Sequence, residues 1–186
     1  MINFVTALRY FLYKLEQGIE DEIGDGTDPY CKRLEQSVLP VIHGTKIVMA
    51  LSMIERLVIQ VEELPQNTSI SDHQLKQKLI NLGFDQNWNS WVEFEGFLSL
   101  RHCFAHEFGR LTNRQTQPLN GFLKKLKNSE IHDEKGAIVQ PFFEIVNDQI
   151  ELKPSAVMRL AKLCNTILNH LTQKGLKVEK SPYESS

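Results

Sequence analysis

The chain has 186 residues, is 41% hydrophobic and 24% charged, and carries a formal net charge of −2. That is the make-up of a globular domain able to bury a core without staples, and it excludes a protein that binds nucleic acid or membranes through a global basic field. Cys31, Cys103 and Cys164 are odd in number, far apart and without C-x-x-C spacing, which excludes a disulfide framework and a cysteine-built zinc site.

The apolar residues Phe4, Leu8, Phe11, Leu12, Leu15 and Ile19 recur at helical spacing, so residues 2–22 are expected to form an amphipathic helix. This segment lacks the pattern of a signal peptide, and no stretch approaches the ~20 apolar residues of a membrane span. The expectation is a cytoplasmic protein with no membrane contact. Gly24, Gly26, Asp28 and Pro29 interrupt the pattern. A second helix begins near Pro29 and should end or kink at Pro40. From about Val41 to Leu64, the stripe Ile47, Leu51, Ile54, Val58 and Val61 is the longest clean helical signal.

Ser71 is placed to cap a short helix carrying Leu75, Leu79 and Leu82, with Gly83 as its stop. Residues 86–108 read as another helix ending at Gly109, residues 110–120 as a loop, and Phe122–Lys127 as a short basic helix. Phe142–Val146 and Gln149–Leu152 flank Asn147-Asp148 and predict a small β-hairpin. Pro154 opens a last helix with the stripe Val157, Leu160, Ala161, Cys164, Ile167, Leu168 and Leu171, stopped by Gly175. The expected organisation is one all-α domain over residues 1–176, a bundle of four to six helices with a hairpin before the last, and a flexible tail over 177–186.

The segment SWVEFEGFLSLRHCFAHEFGR does not fit a plain bundle. On a helix, Phe94, Phe97, Leu98, Phe104, Ala105 and Phe108 share one apolar face with Arg101 in its middle. A guanidinium stays charged, so this position demands an acidic partner on another helix or an anionic ligand at a cleft. His102 and His106 stand four apart and share a flank. Three readings are open for them: ordinary histidines, two ligands of a zinc site whose third ligand the sequence does not nominate, or acid–base groups acting on a phosphodiester. An imidazole suits that work because its ordinary pKa is near ~6.5.

Downstream, Arg110, Arg114, Lys124, Lys125 and Lys127 lie in a stretch without a single acidic residue, Phe108–Asn128. Such a run is commonly a solvated face; here it directly follows the Arg/His helix and is a candidate surface for RNA phosphates. Trp88, Trp91, Phe142 and Phe143 have the composition of base-stacking platforms and the spacing of core aromatics, and the core reading is preferred. Gly-rich phosphate loops, nucleophile elbows and catalytic Cys/His signatures are absent from the sequence.

The string Arg101-His-Cys-Phe-Ala-His106 resembles the R-x4-6-H motif of the HEPN superfamily, in which an Arg, a following polar residue and a His lie near the end of a helix. The resemblance extends to the layout: a helical bundle, the motif in a late-middle helix stopped by Gly109, and a final amphipathic helix. His102 stands where Asn is commonest in the family. The resemblance implies a homodimer whose motif helices meet around a shared cleft, and metal-independent RNA cleavage without a cofactor. It also implies an alternative, because other members are catalytically inactive nucleotide- or protein-binding modules. Many bacterial members belong to toxin–antitoxin or antiviral defence systems beside a partner protein.

Under the cleavage reading, a ribose 2′-OH attacks the adjacent phosphorus. His106 is the expected base, its mate in the second subunit the acid, Arg101 the cation on the phosphorane, and His102 the group that orients phosphate or shares the proton transfer. DNA, lacking the 2′-OH, is expected to be inert.

Overall fold

A computed structural model describes residues 8, 9, 12, 13, 29–65, 67–107, 109–111 and 113–173, without the side chains of 29–40 and 113–115. Of the predicted helix over 2–22, the four described residues are helical, with Leu8 and Leu12 buried; the remainder lies outside the described residues. The same holds for the predicted stop at Gly175 and the tail.

Five helices and one hairpin follow in chain order among the described residues: α1 Pro29–Val61, α2 Asp72–Asn81, α3 Trp91–Glu107, α4 Asn113–Lys127, β1 Phe143–Val146, β2 Gln149–Leu152 and α5 Pro154–Gln173. α1 is the central rod, packing on α3 and on α5. It therefore buries more than one face: Ile47, Leu51, Ile54 and Val58 of the predicted stripe, and also Ala50, Leu57 and Ile59. The helix does not end at Pro40 but runs through it. An internal proline forfeits one backbone hydrogen bond and crowds the preceding turn, at ~3 kcal/mol. Burial of the long apolar run beyond it outweighs that local penalty.

Two other boundaries differ from expectation. α3 begins at Trp91 rather than near residue 86. Asp85 accepts from the Asn87 N–H and from the turn takes the Trp91 indole on its carbonyl, holding 85–90 outside the helix. α4 begins at Asn113, so most of the predicted loop is helical, Pro118 included. Its buried residues Leu119, Phe122, Leu123 and Leu126 make a helical stripe, and the polar residues read as loop include its solvent face.

The hairpin forms in the predicted place, with Phe143 opposite Leu152 and Val146 opposite Gln149. Asn147 and Asp148 have φ of 50° and 60°, the left-handed pair that a two-residue turn of this hand requires. α5 buries every residue of its predicted stripe. Phe142 and Phe143 join Phe97 and Phe122 in the core, and Trp91 is buried beside a half-buried Trp88. No helix among the described residues is long and apolar enough to cross a membrane.

Candidate functional site

α3 ends where the sequence places its stop. Gly109 adopts φ +83°, its N–H reaches the Cys103 carbonyl, and the last turn closes in the manner of a glycine-terminated helix. The chain then pairs with the hairpin: Leu111 N–H donates to Asp148 and Ile150 N–H to Gly109. The end of α3 is thus braced by a rigid turn. Its axis is held close to α1, because a Cβ on Gly44 would lie 2.0 Å from the Phe104 ring.

This packing sets Arg101, His102 and His106 on one wall of a surface cleft of about 370 Å³. Ser52 and Glu55 of α1 and Asp72 of α2 form the other walls, with Ser71 and Ala105 at the rim. The imidazoles of His102 and His106 lie with ring centroids 4.7 Å apart and tilted by 54°. His102 is half-buried and His106 exposed.

Arg101 does not stand alone. Its Nη1 donates to Glu55 Oε2 at 3.1 Å, and its Nη2 donates to Asp72 Oδ1. The Arg101 side chain is 14% exposed, Glu55 15% and Asp72 33%. The requirement that the sequence poses at Arg101 is therefore met inside the chain, by carboxylates from two other helices. Sequence reasoning missed both. A signal for Glu55 was present: it falls between Leu51 and Ile59 at spacings of four, both buried, so its carboxylate hangs off an apolar row. Asp72 follows the cap residue Ser71, an ordinary place for an acid, and gave no sign of its partner.

The apolar surface expected to meet a second copy is largely consumed by the chain's own core. Phe97, Leu98, Leu100, Cys103 and Phe104 are buried in the single chain. Ala105, His106 and Glu107 remain exposed.

The basic segment is not brought to the cleft. Lys124, Lys125 and Lys127 are exposed at the end of α4. Phe122 packs over Gly96, which precedes His106 by ~15 Å of helix and lies about 140° around the axis from Arg101. Arg110 is exposed just beyond Gly109 and is not part of the cleft wall. The Arg114 side chain lies outside the described residues.

Cys103 points into the core. Burial pushes its thiol up to about 11, with the Glu107 charge adding to the rise, so it is a packing residue rather than a nucleophile. Among the described residues, no three His, Cys, Asp or Glu side chains come together as a metal site. No family model matches this chain, and neither a curated protein nor a solved structure matches it.

Proposed function

We propose that this protein is a metal-independent endoribonuclease of HEPN type, working at Arg101, His102 and His106. The observation that carries the reading is that an arginine and two imidazoles, the groups needed for transesterification at phosphorus, converge on one open cleft. His106, the more exposed ring, takes the proton from the 2′-OH. Arg101 faces the charge that builds on the phosphorane, and His102 steers the phosphate.

The acid must protonate the leaving 5′-oxygen from the side opposite the base. Two hydrogen bonds of roughly 3 Å each, on opposite sides of the reacting oxygens, need more room than rings 4.7 Å apart on one wall provide. His102 and His106 of one chain therefore do not straddle the phosphorus, and the acid is assigned to His106 of a second copy, docked at the cleft mouth beside Ala105. This is a smaller and more polar meeting surface than the whole face of α3. A place in a toxin–antitoxin or antiviral system follows only from the family resemblance.

A specific observation favours a second reading. Both terminal nitrogens of Arg101 are already engaged by carboxylates, which suits a silent module that binds a nucleotide or a protein. Mixed RNA incubated in EDTA separates the two. Cleavage to 2′,3′-cyclic phosphate and 5′-OH ends, abolished in a folded His106→Ala protein and absent on DNA, supports the enzyme. Unchanged cutting by His106→Ala removes the site, and binding without turnover leaves the module.

A further inference from the structure

Two carboxylates against one guanidinium leave the cleft with one excess negative charge while the imidazoles are neutral. A phosphate approaching Arg101 meets that charge and finds the Nη edge occupied. The two occupants are not equivalent. Glu55 sits mid-helix on α1, 15% exposed, and its second oxygen holds the buried Ile70 N–H at 3.3 Å. Displacing it would orphan that donor. Asp72 is the first residue of α2 and 33% exposed, and among the described residues its carboxylate bonds Arg101 alone.

Asp72 also has somewhere else to go. Rotated off Arg101, its carboxylate stays at the N-terminus of α2, where unpaired N–H groups and the helix dipole favour an anion. The backbone need not move. α2 is pinned by the reciprocal Ser71–Gln74 cap, by Lys76–Glu95 and Lys78–Glu62, and by buried Leu75 and Leu79.

We propose that Asp72 is an internal occupant of the phosphate position on Arg101, so that the cleft is a self-inhibited anion site opened by rotation of this one side chain. Glu55 is the fixed anchor that keeps the guanidinium aimed when Asp72 leaves. The ligand class is a phosphodiester. The proposal rests on the reading of the cleft as a phosphate site, and regulates it: substrate must compete with Asp72, which raises KM without entering the chemistry.

The test uses the full chain in EDTA and a fluorescent 2′-O-methyl oligoribonucleotide, which binds without being cut. Asp72→Asn, and Asp72→Ser as a second variant that suits a helix start, are expected to bind about 5- to 30-fold more tightly than wild type, in the lower part of the roughly 5- to 150-fold span of a coupling between two sites. Glu151→Gln, the same charge change on the exposed hairpin, is expected to gain less than twofold. In an Arg101→Met background, Asp72→Asn is expected to gain nothing. With unmodified RNA, Asp72→Asn is expected to lower KM and leave kcat within about twofold.

Equal tightening by Glu151→Gln, tightening that survives Arg101→Met, or no binding by any variant overturns the proposal. Tighter binding by Asp72→Asn through Arg101, with no RNA cut by any form, upholds the internal occupant and fails the ribonuclease reading alone.

Discussion

Two arginine–carboxylate assemblies sit on α3, one in its first turn and one past its middle, and they differ in closure. At the first turn, Glu93 is fully buried and takes Arg159 of α5 on both oxygens, Nε to Oε1 and Nη2 to Oε2 at 2.9 Å. One carboxylate takes the guanidinium in a bidentate pair, with the Asp133 charge nearby. Burial alone pulls the Arg159 guanidinium down, and the Glu93 hydrogen bond and charge outweigh it, so the net shift is upward. Further along, Arg101 is shared between carboxylates of two helices, charge is unmatched, and two imidazoles stand alongside. The same pair of functional groups thus makes a fastening where a fully buried carboxylate holds one arginine on both oxygens. Where two partly exposed carboxylates share one guanidinium, it makes a place where partners can be exchanged.

The largest expected effect separates the two regions by function. His106→Ala should slow the chemical step ~10²–10⁴-fold, the range for a positioned acid or base, with the melting temperature nearly unchanged. Single-turnover cleavage beside thermal melts measures both. A large loss of stability would make the cleft another fastening.

Next comes the closed pair. Arg159→Met strands the buried Glu93 charge and should cost about 3–5 kcal/mol by urea denaturation, most of it recovered in Glu93→Met/Arg159→Met. A loss below about 1 kcal/mol in the single variant would mean that burial does not distinguish the two assemblies.

Gly44→Ala sharpens how the core holds the cleft. Its methyl would overlap the Phe104 ring in the helix that carries the motif. The expected cost is ~1–3 kcal/mol, together with a measurable change in the His102 and His106 ring signals by NMR. Unchanged ring signals would show that the cleft does not depend on this crossing.

The smallest effect is in alkali. The Cys103 thiol is raised from 9.0 to about 11, so the folded state favours the neutral form. Its contribution to stability is whole below pH 9 and is lost as the pH rises towards 11. Cys103 and the fully buried Cys164, raised further by burial, should resist iodoacetamide at neutral pH and react on unfolding. Modification of Cys103 itself in the native protein at pH 7, located by peptide mapping, would place it on the cleft side of α3.

By itself, the sequence determined what depends on periodicity and local backbone chemistry. The stripes of α1 and α5, the Ser71 cap, the Gly83 and Gly109 stops and the Asn147-Asp148 turn are written in residues within one or two turns of each other. It also marked Arg101 as a charge needing an answer. Only the tertiary structure decided what the answer is, because Glu55 and Asp72 are 46 and 29 residues away and come to Arg101 through the packing of α1 against α3 and of α2 against α1. It likewise decided that helices run through Pro40 and Pro118 and that Lys124, Lys125 and Lys127 do not line the cleft. A proline penalty and a charge run are local quantities; the burial that overrides the one and the helix crossing that orients the other belong to the whole fold.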